Sequence, residues 1–299
     1  MKRIADIFSQ AKKEKQQDEL RCQSLIDRVC KASPIGKKLI ENALSNGVKI
    51  RMSDEIDALG TYSNESKEIQ LNKESDDNTL LSTLVHECRH AEQTIQFGSP
   101  HYSMYTSVAI VRAKEADAMA HQCAATYQMR HTEAGAFADF SVRHIGMMSA
   151  YQNEMAQSKD MDKALNKAFK AWYGNEKYVA KYDDTTLMCM SGGSASLKAY
   201  KTTLTGEQLA QAVCMKNGKP YVEPAFFNSK EATTVTETQA YKAATIEKNH
   251  FRNLFRFGEI PTSADYFYVR QQNGTVLKPK RRIASDMLVA QKVSGGRSQ

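Results

Sequence analysis

The chain has 299 residues, 41% apolar and 25% charged, which suits a soluble globular protein with one large core or two modest ones. No apolar run approaches the roughly 18 residues of a membrane span. Its six cysteines form no C-x-x-C pair and no dense framework, so they read as reduced thiols. The net charge of +7 is uneven: residues 51–160 hold 9 Lys/Arg against 16 Asp/Glu, and the remainder 32 against 18. An acidic centre suits a cation, whereas basic ends keep the chain soluble or meet an acidic partner. The basic cluster Lys278, Lys280, Arg281 and Arg282 lacks interleaved aromatics, which argues against nucleic acid.

The first residues, MKRIADIFSQAKKEK, are positively charged with no apolar stretch behind them. The expectation is therefore a cytoplasmic protein as synthesised, with export or injection by a route needing no cleaved signal left open. Residues 2–31 carry Ile4, Ile7, Phe8, Leu20, Leu25, Ile26 and Val29 at helical spacing. Ser33-Pro34 offers an N-cap and a first-turn proline for a second helix that stops at Gly47. These helices make a first segment, 1–47.

From Val48 the pattern changes to period two. Residues 48–52, 59–63 and 68–72 read as three short strands, the last two flanking the polar turn 64–67. Asp76, Asp77, Asn78 and Thr79 then cap a helix whose buried stripe is Leu80, Leu81, Leu84, Val85, Ala91 and Ile95, expected to end at Gly98 before Pro100.

That helix contains His86-Glu87-Cys88-Arg89-His90, an H-E-x-x-H motif. Residues four apart on a helix lie one turn apart on one face, so two imidazoles can grip one metal ion. Glu87 is rotated by about 100° from His86, within reach of a water in the metal's open position. This is the working part of a zinc peptidase. The chemistry calls for a third protein ligand. The long metzincin motif would need Gly at 93 and His at 96, where this chain has Gln93 and Gln96. The next helix offers Glu115, with Ala116, Ala118 and Ala120 small enough for a close approach to the motif helix. Glu115 and Asp117 point about 200° apart, so only one can face the metal. Asp117 with His121 is the competing set. Cys88 reads as a packing residue, with an inhibitory thiolate as the alternative.

Residues 103–182 read as several helices jointed near Gly135, Gly146 and Gly174, with Ala164, Leu165, Ala168, Phe169, Trp172 and Tyr173 as core. Residues 191–196 form a linker, and helices are expected at 206–216 and 237–256, a turn at Asn217-Gly218 and a strand at 266–269. Arg297 and its Gly/Ser neighbours are expected to fray. Tyr102, Tyr105, Tyr127 and His131 are oxyanion-stabiliser candidates by sequence proximity alone.

The strands, then LVHECRHAEQ, then KEADAMAHQ, resemble the Glu-zincin metallopeptidases. The E-A-D-A-x-A string is similar to the E-A-N-x-F-A string of bacterial peptidases that cleave repressors or serve stress responses. The stretch over 168–184 resembles a segment following the zinc helices in bacterial putative-metallopeptidase domains of unknown function. The resemblance covers about residues 48–184 and implies His86, His90 and Glu115 as Zn²⁺ ligands and Glu87 as general base. It implies an α+β, mainly helical, zincin-like fold, with a small antiparallel or mixed sheet packed on the motif helix and those that follow. One departure stands out: thermolysin-type relatives place Asp four residues after the ligand Glu, where this chain has Met119. Residues 185–299 form a C-terminal α/β extension or part of the same core.

The expected function is zinc-dependent hydrolysis of a protein or peptide substrate. The rivals are a catalytically silent zincin-fold adaptor and a basic protein of nucleic-acid or membrane surfaces.

Overall fold

A computed structural model describes residues 2–93, 102–191, 202–251 and 263–280. The chain is α+β and mainly helical, in two compact units: Met1–Thr94 with Ala116–Trp172, and Ile95–Glu115 with Tyr173–Gln299.

The first unit opens with α1 (Lys2–Ala32) and α2 (Pro34–Ser45). Ser33 ends one helix and starts the next: its hydroxyl accepts from Gly36 N at 3.0 Å, and Pro34 fills the first-turn position that needs no N–H. Three strands follow, β1 (Lys49–Ser53), β2 (Gly60–Ser63) and β3 (Glu68–Asn72). They form one mixed sheet in the order β1-β3-β2, with β1 parallel and β2 antiparallel to β3. Central β3 alternates in burial, Ile69 and Leu71 facing the core.

The motif helix is α3 (Asp77–Glu92). Asp76 caps it by accepting from Asn78 N at 3.0 Å and from Thr79 N at 3.2 Å. Leu80, Leu81, Leu84, Val85 and Cys88 bury its stripe together with Leu25 and Val29 of α1, Ile40 of α2 and the strand residues Ile69 and Leu71. Arg28 of α1 ties the capped end down, reaching Asp77 at 3.2 Å and Glu133 at 2.6 Å.

The longest later helix is α4 (Met104–Met129), followed by α5 (Ala134–Arg143), α6 (Ile145–Ser158) and α7 (Met161–Tyr173). Between Ala116 and Ala125, α4 is buried on every face and shows no amphipathic stripe. The joints lie at 130–133, His144, 159–160 and 174–175. Gly135 and Gly146 are therefore inside first turns, and only Gly174 is a break. Lys159 closes α6 in the left-handed region at φ 55°.

In the second unit, α8 (Glu176–Ser191) and α9 (Gly206–Val213) precede a hairpin of β4 (Met215–Lys216) and β5 (Lys219–Pro220). Asn217 and Gly218 turn it, both at positive φ (50° and 80°), as a two-residue hairpin loop requires. Then come α10 (Lys230–Thr233), β6 (Thr234–Thr236), α11 (Glu237–Phe251), β7 (Tyr268–Arg270) and β8 (Val276–Leu277). The last three strands form a sheet in the order β6-β7-β8. The start of α4 is capped from afar: Glu247 of α11 accepts from Met104 N at 2.9 Å, and Ser263 Oγ accepts from Tyr105 N at 2.8 Å.

The expected stop at Gly98, the 192–196 part of the linker, Arg281, Arg282 and the Arg297 tail lie outside the described residues. All six cysteines are free thiols. No helix among the described residues is long and apolar enough to cross a membrane.

Candidate metal centre

His86 and His90 sit one turn apart on α3, Nε2 to Nε2 at 3.0 Å with ring planes at 85°. Glu115 enters from α4, and one donor atom from each of the three lies within 4.8 Å of the others. All three are half-buried, so they are fixed yet reachable. Two imidazole nitrogens and a carboxylate oxygen are a donor set zinc takes readily, and bonds of about 2.0–2.1 Å in a tetrahedron hold ligands roughly 3.3 Å apart. The residues fit such an ion, with a fourth position left for a water or substrate atom.

Glu87 is 6% exposed, beside the histidines on α3. Its neighbour across the gap is Gly60, the first residue of β2. A Cβ at Gly60 would stand 2.7 Å from Thr83 Cγ2 and 3.0 Å from Glu87 Cγ. Only glycine lets β2 lie this close to the motif helix without displacing Glu87.

Asp117 and His121 share a face of α4, and His121 Nδ1 lies 2.9 Å from the Asp117 carbonyl. The Asp117 carboxylate is engaged elsewhere. Arg89 donates to it from Nε at 2.7 Å and Nη2 at 3.1 Å, and Gln93 Nε2 donates at 2.7 Å. Burial works against the Asp117 charge, but Arg89, His121 and these hydrogen bonds hold its carboxyl below the ordinary value.

Glu115 is braced from α8. The Tyr182 hydroxyl, kept protonated by burial and by Glu115 beside it, hydrogen-bonds to the Glu115 carboxylate. Next to it, Asp183 takes a bidentate grip from Arg112, three residues before Glu115, at 2.7 and 2.6 Å. Burial, and to a lesser degree the Asp184 charge, pushes the Asp183 carboxyl up and so opposes the pair. Burial also opposes the Arg112 charge, yet the two-pronged contact outweighs it and raises Arg112. We read the pair as ionised.

Three other expectations resolve into packing. Cys88 is fully buried, and burial, then Glu87, pushes its thiol well above the ordinary value, so it is no thiolate. Tyr105 packs on Phe267 at 5.0 Å in the core of the second unit. Tyr127 packs on Tyr151 at 5.3 Å under Arg130. His131 is exposed, and Tyr102 bridges to Thr202. A separate cavity of about 380 Å³ in the second unit is lined by Asp183, Gln239, Arg270 and their neighbours, with no residue of the H-E-x-x-H motif.

His144, at the joint of α5 and α6, packs on Phe140 at 4.7 Å. Burial, then Arg143 and His86, pushes its pKa down to about 4. An unfolded histidine protonates near pH 6.5, so between about 6.5 and 4 only the unfolded chain binds this proton. Its contribution is complete above that window and is lost as pH falls through it, up to about 3 kcal/mol. His144→Phe should remove that part of the acid sensitivity. Urea midpoints of the metal-free protein at about pH 7 and about pH 4.5 should differ less in the variant than in the wild type. Equal differences would contradict this account of His144.

Residues 4–222 match the model of a family described as "Putative metallopeptidase family (DUF6782)". No curated protein and no solved structure matches the chain.

Proposed function

The chain belongs to this putative metallopeptidase family, and from that premise we propose that it hydrolyses peptide bonds of a protein or peptide substrate, with Zn²⁺ held by His86, His90 and Glu115 and Glu87 as general base. The observation that carries the reading is the meeting of His86, His90 and Glu115 donor atoms within 4.8 Å, with Glu87 on the same helix.

Zinc bound by these ligands supplies Lewis acidity to a substrate carbonyl and makes a water far more acidic than in bulk. The protein's own groups do the rest. Glu87 is a ligand to nothing in this scheme; its carboxylate accepts the proton of the attacking water and returns it to the departing amine. Its position against Gly60 fixes the carboxylate rather than leaving it to sample solvent. Tyr182 holds Glu115 by a hydrogen bond, so the acidic ligand is oriented before the ion arrives.

Removal of the metal is the first functional test. Hydrolysis of an unfolded protein such as casein should be lost after treatment with 1,10-phenanthroline and return when Zn²⁺ is added. Hydrolysis that survives complete chelation would defeat the proposal.

A further inference from the structure

A metal-ligating histidine works only in one tautomer, and something must choose it. The thermolysin-type solution is absent, since Met119 stands where that branch has Asp. The structure supplies another. Gln93 ends α3 in an extended conformation (φ −75°, ψ 106°). Leaving the helix there lets its amide reach back, Oε1 at 2.8 Å from His90 Nδ1 and Nε2 at 2.7 Å from Asp117 Oδ2.

The polarity of this chain of contacts is forced from its far end. Arg89 can only donate, and it meets both oxygens of Asp117, which is fully buried. Held ionised, Asp117 can only accept. Gln93 must therefore turn its NH₂ towards Asp117, which leaves its carbonyl oxygen facing His90. A carbonyl oxygen can only accept, so His90 must carry its proton on Nδ1 and keep the lone pair on Nε2. That is the nitrogen facing His86 Nε2, on the side where the candidate ligands converge. Arg89 is itself pinned: its Nη1 donates to Glu92 at 2.7 Å, and Asn42 of α2 donates to the other oxygen of Glu92 at 2.5 Å.

We propose that Gln93, oriented by the Arg89–Asp117 pair, is the positioning residue that sets the His90 tautomer and so offers Nε2 to the metal. This rests on the metallopeptidase reading for its purpose but not for its test. The chosen partner is a neutral amide, with the negative charge one residue further back.

The experiment has two readouts on wild type, Gln93→Ala, Asp117→Asn, Gln93→Glu and the double variant Gln93→Glu/Asp117→Asn. The first is the tautomer of His90 in the metal-free protein, from long-range ¹H–¹⁵N correlation of the imidazole under alkaline conditions where the ring is neutral. The second is Zn²⁺ affinity by competition with a chromophoric chelator. Wild type should show a single Nδ1–H tautomer at His90, and Gln93→Ala a mixture. Gln93→Ala keeps the Arg89–Asp117 tie intact, so it separates positioning from folding. Each single variant should lose about 10- to 100-fold in zinc affinity.

The double variant exchanges amide and carboxylate, preserving polarity from position 117 to His90 at the cost of one of the two Arg89 contacts. The new amide at position 117 would accept from Arg89 Nη2 through its oxygen and donate through its nitrogen to the new carboxylate at position 93, giving up the Arg89 Nε contact that Oδ2 accepts in the wild type. That carboxylate would in turn accept from His90. The double variant should recover the single tautomer and bind zinc more tightly than Asp117→Asn alone, a rescue that a role confined to packing would not produce. An Nε2–H tautomer in the metal-free wild type would overturn the proposal, as would unchanged tautomer and affinity in Gln93→Ala. If wild type binds no zinc at all, the metallopeptidase reading fails, and the tautomer measurement alone still decides the relay.

Discussion

Glu87→Gln is expected to lower peptide hydrolysis by about 10²- to 10⁴-fold, the usual weight of a positioned general base, and to leave the zinc content unchanged. The substitution keeps the shape that packs against Thr83 and Gly60, so β2 has no reason to move. What it removes is the ability to take a proton. The residue is not among the three whose donor atoms converge, so the metal should stay. Both measurements are needed on one preparation: turnover of casein or a peptide library, and metal content. Full activity would place the base elsewhere. Loss of zinc together with activity would show Glu87 to be part of the ligand shell instead.

The largest effect on stability is expected at Arg112→Met. The guanidinium makes four contacts of 2.6–2.8 Å: two to Asp183, one to the Ala232 carbonyl and one to the Thr234 carbonyl. Both side chains are almost fully buried, at 1% and 2% exposure. Methionine matches the volume of the aliphatic stem but strands a buried carboxylate, so the cost should be about 3–5 kcal/mol. Chemical denaturation followed by circular dichroism measures it. The paired variant Arg112→Met/Asp183→Leu removes the stranded charge and should recover much of the loss. A cost below about 1 kcal/mol for the single variant would mean that the pair is not held in this geometry. The same substitution should loosen Glu115, one turn further along α4, since Asp183 and the bracing Tyr182 are neighbours on α8.

What could be read from the sequence was what depends on neighbours along the chain. Ser33, Asp76 and Asn217-Gly218 act within three or four residues of themselves, and their caps and turn stand where spacing puts them. The alternation at 68–72 shows as strand because Ile69 and Leu71 face the core and their neighbours do not, whereas in β1 burial rises towards Met52 and Ser53 instead of alternating. His86 and His90 belong with these, since their shared face is a property of one helical turn.

The rest depends on residues that meet only in the fold. Arg112 and Asp183 are 71 positions apart. Gln93 takes its meaning from Asp117, 24 positions on, and from its place at the end of α3 after Glu92. As a residue type it is chemically ordinary, and nothing local in the sequence marks it. Tyr182 has the same helical spacing as core aromatics such as Trp172, so its hydroxyl contact with Glu115 could not be told from packing. Glycines misled where the joints were concerned: α5 and α6 absorb Gly135 and Gly146 in their first turns, where a helix tolerates them most easily.

The central claim is that His86, His90 and Glu115 bind one metal ion, and metal content by mass spectrometry tests it most directly. Wild type, His86→Ala and Glu115→Ala are purified in parallel, incubated with Zn²⁺ and freed of excess ion. The account predicts about one zinc per chain in the wild type, almost none in His86→Ala and a weakly held fraction in Glu115→Ala. Wild-type protein that retains no zinc, or His86→Ala protein that retains as much as the wild type, would contradict it.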